Sequence, residues 1–159
     1  MSDIKAYRIV KKRWANSAFD GEGANLYGGR WNSKGISCVY VADTPSLAVL
    51  EVLVHLTSND VMQSYAMYEI ELPADLVLRA KDKSLPANWR AEPAPQETAS
   101  FGDEWIESGV SLALAVPSVI VPMSWNYLMN INHPAFAAVV TKAKPVEFKF
   151  DQRLLPRPS

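Results

Sequence analysis

The chain has 159 residues, 48% of them hydrophobic and 10% aromatic, enough for one domain to bury a sizeable core and too apolar for a disordered segment. Sixteen basic and seventeen acidic residues leave a net charge of -1, so no overall field marks a nucleic-acid or acidic-membrane binder. The lone Cys38 excludes an intrachain disulfide and a cysteine-rich metal site, and with two histidines, His55 and His133, a zinc site is hard to assemble.

The first residues, MSDIKAYRIVKK, are charged and lack the apolar core of a signal peptide, and no run approaches the roughly 18 apolar residues of a membrane span. The expectation is a cytoplasmic protein. Residues 6–10 (AYRIV) read as a first strand, with Arg8 on the opposite side from Tyr7 and Ile9. Lys11-Lys12-Arg13 reads as a solvated strand end. Five of the seven glycines then fall between Gly21 and Gly35, where a flexible loop presents Tyr27-Gly28-Gly29-Arg30-Trp31-Asn32.

Ile36 to Ala42 is apolar on both faces and reads as a central strand carrying Tyr40, with Cys38 as a buried thiol. The Asp43-Thr44-Pro45 junction is the clearest helix start: a capping side chain precedes a proline whose missing N–H is no loss in the first turn. The helix is expected over 45–56. It is apolar nearly all round, with Glu51 and His55, one turn apart, as its polar exceptions.

Residues 65–72 and 75–79 read as strands broken by Pro73, residues 86–96 as a proline-rich loop, and residues 97–108 as a helix closed by Gly109. Ser111 to Val121 reads as an apolar strand interrupted at Pro117-Ser118, residues 126–134 as a polar-aromatic loop, 135–141 as a short helix and 146–150 as a last strand. The expected architecture is α+β: one domain over residues 1–159, with a mixed, mostly antiparallel sheet and a few helices.

Three side chains stand out chemically. Glu51 among Leu47, Leu50 and Val54 is costly unless a cation or several donors satisfy it or it faces a cleft. Arg30 is a permanently charged fork suited to phosphate, flanked by glycines that let backbone N–H groups approach an anion; its plainer reading is a loop arginine stacked on Trp31 or paired with an acid. Tyr40 reads as a core strand residue or as a platform for a ligand. Ser118, after Pro117, reads as satisfying backbone groups at a strand break. Walker, GxGxxG and GxSxG motifs are all missing.

The order Tyr7-Arg8, then Tyr27-Gly28-Gly29-Arg30-Trp31-Asn32, Tyr40, Thr44-Pro45 leading to Glu51, Val116-Pro117-Ser118 and Asn126-Tyr127-Leu128 closely resembles the RES family, over nearly the whole chain. The family takes its name from an arginine, a glutamate and a serine. Carried over residue by residue, the arginine falls on Arg30, the site tyrosine on Tyr40, the glutamate on Glu51 and the serine on Ser118, with Ser111 and Ser124 nearby.

The resemblance implies a bacterial toxin of a type II toxin-antitoxin pair, with a fold similar to ADP-ribosyltransferases. It implies NAD+ as substrate, with ADP-ribose passed to water, phosphate or a protein; no metal is expected, given the few histidines and the single cysteine. The implied partner is an antitoxin with an Xre-like domain that occludes the site. Direct nucleic-acid and membrane partners are not expected, and apolar strands with five tryptophans leave room for a homodimer.

Cleaving the nicotinamide-ribose bond releases a leaving group that needs no proton, so one carboxylate, Glu51, suffices to hold a ribose hydroxyl and stabilise the developing cation. Arg30 is expected to grip the pyrophosphate or adjacent ribose, and Tyr40 to pack on the nicotinamide or ribose. Ser118 is expected to orient the nicotinamide side, with Tyr27 and Arg8 as further contributors and His55 tuning Glu51 or serving structure alone. The alternatives are a non-catalytic nucleotide- or RNA-phosphate-binding module and a purely structural partner-binding domain.

Overall fold

The computed structural model describes residues 2–56 and 64–154. Among them, seven strands form one mixed sheet. They are β1 (Ile4–Lys11), β2 (Val39–Ala42), β3 (Tyr65–Leu72), β4 (Val77–Arg79), β5 (Ala113–Pro117), β6 (Trp125–Met129) and β7 (Lys144–Val146). The order across the sheet is β4-β5-β6-β2-β1-β3-β7, and only the β4–β5 pair is parallel. The mixed, mostly antiparallel α+β reading therefore holds.

The two halves of the sheet meet at a narrow seam. β1 runs against β3 from Ile4↔Leu72 to Lys11↔Tyr65, but against β2 it is in register at Tyr7↔Ala42 alone. On the other side β2 and β5 both pair along β6, so Tyr40, Leu128 and Leu114 lie in one row and Ala42, Asn126 and Val116 in the next row on the same face.

Strand alternation divides the core in two. One face carries Ala6, Val39, Val41, Ile70, Tyr127 and Met129 against Phe136 and Val139 of helix α4 (Phe136–Thr141). The other face carries Leu114, Val116 and Leu128 under Trp31, Trp105 and Ile106. Beside this second cluster, Ala42, Tyr7 and Ile9 receive Leu47 and Ala48 of helix α2 (Pro45–Leu53). Each large aliphatic side chain buried this way contributes about 1.5–3 kcal/mol.

Helix α2 starts as its sequence dictates: Thr44 Oγ1 accepts from Leu47 N at 3.0 Å, and Pro45 opens the first turn. It ends at Leu53, so His55 lies beyond the helix, exposed. Helix α3 (Gln96–Ser108) ends at Gly109, whose φ of 63° is left-handed.

Several expectations are corrected. The glycine-rich stretch is not all loop. Gly21 and Gly28, at φ 75° and 70°, bracket a helix α1 (Glu22–Tyr27), and Asp20 Oδ1 accepts Glu22 N at 2.9 Å. The central strand begins at Val39 rather than Ile36. The 75–79 strand opens as a single helical turn, Ala74–Leu76, and only then becomes β4. The 111–121 strand stops at Pro117.

Residues 125–129 form strand β6 where a loop was expected from 126. Its backbone is paired on both edges, by β2 and β5, and this outweighs its polar start. The last strand is Lys144–Val146, against β3, rather than 146–150.

Candidate active site

Glu51 sits on α2, which packs against β1 and β2, and its side chain reaches the end of β5 and the start of β6. Its Oε1 accepts two hydrogen bonds, from Ser118 Oγ at 2.8 Å and Asn126 Nδ2 at 2.7 Å. Ser118 is fully buried, and its Oγ also accepts Ile120 N at 3.1 Å and Val121 N at 3.2 Å. With both lone pairs used, the single hydroxyl proton is committed to Glu51. Ser118 therefore does what its position after Pro117 suggested, satisfying backbone groups, and orients the carboxylate as well.

No cation bonds to Glu51 among the described residues; two neutral donors hold it. The only buried side-chain polar atom without a hydrogen bond among them is Asp43 Oδ1, so Glu51 Oε2, which has no protein partner there, is reached by solvent. One oxygen is fixed and the other is presented.

The second network centres on Tyr40. Its hydroxyl donates to Asn32 Oδ1 at 2.6 Å and accepts Trp31 N at 3.1 Å. Burial, above all, pushes the phenol well above its ordinary range, so it stays a proton donor. Asn32, 1% exposed, spends its amide on the carbonyls of Ala24, Ser33 and Ile36. A Cβ on Gly29 would lie 2.8 Å from Tyr40 Oη and 2.9 Å from Asn32 Oδ1, so only glycine admits this pair. Tyr40 is thus the post to which the arginine loop is tied.

Helix α3 clamps the same loop from outside. Trp31 is buried edge-to-face on Phe101 at 5.8 Å. The Asp103 carboxylate accepts Ser33 N at 2.9 Å and Ser33 Oγ at 2.5 Å.

Arg30 is held where the loop turns between Gly29 and Asn32. Its Nη1 donates to Trp89 O at 3.0 Å and Ala91 O at 2.7 Å, and its Nη2 to Glu92 Oε2 at 2.7 Å. The acid-paired reading of this arginine is therefore realised.

Tyr40 and Asn126 are diagonal neighbours on one face of β2 and β6, which places the Glu51 and arginine-loop networks side by side without a direct bond between Arg30 and Glu51. Arg8 lies on the opposite face, where it is buried and donates to Tyr40 O at 2.9 Å and to Ala18 O. Burial lowers its pKa from the ordinary arginine value. It bolts β1 to β2 where their pairing lapses. Tyr27, at the end of α1, is 77% exposed beside the loop.

Sequence reasoning missed Asn126 as a partner of Glu51, and Asn32, Asp103 and Glu92 as supports of the loop. Asn126 is readable as a polar residue inside an apolar strand once β6 is recognised; Asp103 and Glu92 carry no local signal. Two surface clefts of ≈ 390 and ≈ 410 Å³ are lined by neither Glu51 nor Arg30: one by Leu78, Phe101 and Trp105, the other by Ile36, Asp103 and Ile131. Among the described residues no group of three or more His, Cys, Asp or Glu is placed to hold a metal, and no helix is long and apolar enough to cross a membrane.

The chain is similar to known proteins in sequence and in fold. The chain is 41% identical over 148 residues to "Toxin Res" of Yersinia enterocolitica, covering 93% of this chain and 97% of that protein. It is 40% identical over 139 residues to the "Prs ADP-ribosylating toxin" of a Sphingobium strain, covering 85% of each. Its fold is similar to that in the crystal structure of the M. tuberculosis MbcT-MbcA toxin-antitoxin complex, with a TM-score of 0.69 at 17% identity over 91% of this chain and 82% of that one. The RES domain model matches residues 5–151, and the chain belongs to the RES domain family.

Proposed function

We propose that this chain is the toxin of a toxin-antitoxin pair and that it consumes NAD+ by cleaving the nicotinamide-ribose bond. The observation that carries the reading is the Glu51 carboxylate, with one oxygen fixed by Ser118 and Asn126, the other open to solvent, and no cation bound to it among the described residues. The names of the relatives support the toxin reading, and one of them is an ADP-ribosylating toxin.

In this reaction the bonding pair of the C–N bond leaves with the ring nitrogen, so the pyridinium departs as neutral nicotinamide. Positive charge develops on the ribose. Glu51 Oε2 holds a ribose hydroxyl and faces that charge, and a carboxylate whose orientation is prepaid by its neighbours needs no reorganisation during the step. Arg30, poised by the Trp89 and Ala91 carbonyls, binds the diphosphate. Tyr40 fixes the loop carrying Arg30, and Tyr27 is an exposed ring beside the bound nucleotide. Arg8 contributes through the scaffold. Water, phosphate or a protein side chain attacks the ribose carbon and gives up its proton to solvent; for water the products are ADP-ribose, nicotinamide and a proton. The partner is an Xre-like antitoxin that covers the site.

The test is nicotinamide release from NAD+ by wild type, Glu51→Gln and Arg30→Ala. Loss in both variants is expected. Equal release by all three removes the site assignment, and ligand binding that survives Glu51→Gln with no product from any form favours a non-catalytic nucleotide-binding module.

A further inference from the structure

Arg30 donates three of its five N–H protons to one short segment. Two go to main-chain carbonyls, Trp89 O and Ala91 O, and one goes to the Glu92 carboxylate. These partners differ in kind. The carbonyls are neutral and fixed by their own turns, with Trp89 N on Pro86 O at 3.0 Å and Ala91 N on Asn88 O at 2.9 Å, and Trp89 packs on the Trp31 cluster. Glu92 carries a charge and stands in solvent: its side chain is 78% exposed against 15% for Arg30. Residues 90–94 are all exposed, and the side-chain tie of Glu92 among the described residues is to Arg30.

The guanidinium edge formed by Nε and Nη2 can grip a phosphate with two parallel hydrogen bonds. Nη1 is consumed by the carbonyls, so this edge is what remains for an anion. Glu92 Oε2 takes one of the two Nη2 protons and sets its negative charge against this edge.

We infer that Glu92 is an internal occupant of an anion site built around Arg30, and that a diphosphate displaces its carboxylate from Nη2 while the Trp89 and Ala91 carbonyls keep the guanidinium aimed. The choice of a diphosphate rests on the NAD+ reading; the competition at Arg30 does not. The segment from Ala91 to Ala94 is then a latch that a bound substrate opens. It lowers affinity for anions that reach Arg30 alone and favours ligands that also engage the Glu51 side.

The experiment is calorimetric titration of inorganic pyrophosphate at low ionic strength into wild type, Glu92→Ala, Glu92→Gln, Arg30→Ala and Glu107→Gln. Glu107 is an exposed carboxylate on α3 that serves as the control for net charge. An exposed ion pair of this kind is equivalent to a roughly two- to five-fold change in affinity. Both Glu92 variants are expected to bind pyrophosphate tighter by that factor, Glu107→Gln to match wild type, and Arg30→Ala to lose binding. Unchanged or weaker binding in the Glu92 variants, equal tightening in Glu107→Gln, retained binding in Arg30→Ala, or no binding by any form overturns the inference.

A parallel measurement of nicotinamide release separates the two readings. If wild type releases none while pyrophosphate affinity responds to Glu92, the latch stands and the reaction falls. If wild type is active and Glu92→Ala leaves both pyrophosphate affinity and the KM for NAD+ unchanged, the reaction stands and the latch falls.

Discussion

Ser118 and Glu51, 67 positions apart, share a hydrogen bond of 2.8 Å whose direction is decided by the main chain. Because Ser118 Oγ already accepts from Ile120 N and Val121 N, it has only its proton to give. The turn after β5 and the carboxylate on α2 are therefore one unit. Replacing Ser118 by Ala removes a donor from Glu51 and strands two backbone N–H groups, at a cost of about 1–3 kcal/mol. A urea midpoint equal to wild type would contradict this unit.

Glu51→Gln separates chemistry from structure. The amide oxygen still accepts from Ser118 and Asn126, so the urea midpoint is expected to stay near wild type. Nicotinamide release is expected to fall about 10²- to 10³-fold, the usual cost of removing one aligned charge-stabilising group. A matching loss of stability would instead make Glu51 a structural residue.

Two glycines should respond with opposite sign to alanine. A Cβ on Gly102 would lie 1.7 Å from Trp31 O, a backbone atom that cannot swing away, so Gly102→Ala is expected to cost about 1–3 kcal/mol or more and to displace the arginine loop. Gly23, inside α1, has open space where a Cβ would go, and Gly23→Ala is expected to stabilise by about 0.4–1 kcal/mol. Denaturation midpoints of the two variants, read by tryptophan fluorescence, check both.

Alkaline pH should weaken the fold. Burial pushes the Cys38 thiol up to about 12 from 9.0 and carries the Tyr40 phenol well above 10.0. Folding favours the protonated forms, so their contribution is complete below pH 9 and is lost as pH rises through 9 to 12, where the unfolded chain ionises first. The denaturation midpoint should fall between pH 8 and pH 10.5, and Cys38 should be unreactive to a thiol reagent at pH 8 until the protein is unfolded. A flat profile with a reactive native thiol would refute the buried arrangement.

Local rules carried much of this fold. The Thr44-Pro45 cap, the Gly109 stop, the alternation of β1 and β3 and the placement of Arg8 opposite Tyr7 are all set by neighbours within a few residues, so they can be read from the chain. Glu51 was legible for the same reason, as a carboxylate in an apolar helix. Its donors were less so: family resemblance singled out Ser118 for the nicotinamide side and not as a partner of Glu51, and Asn126 lay in a segment read as loop.

What only the tertiary structure decided depends on partners distant in sequence. β6 is a strand because β2 and β5 flank it, and Asn126 faces Glu51 because the register with Ala42 aims it there. Arg30 read from sequence is a cation displayed by a flexible loop; in the folded chain it is 15% exposed and held by residues 89–92, some sixty positions away. The sequence by itself determined that a carboxylate on an apolar helix would need a partner or a cleft, because isolated charges are costly to bury, and it left the arginine open between binding an anion and pairing with an acid. Which groups answered that need was settled by long-range packing: two neutral donors for the carboxylate, and two carbonyls and an exposed glutamate for the arginine.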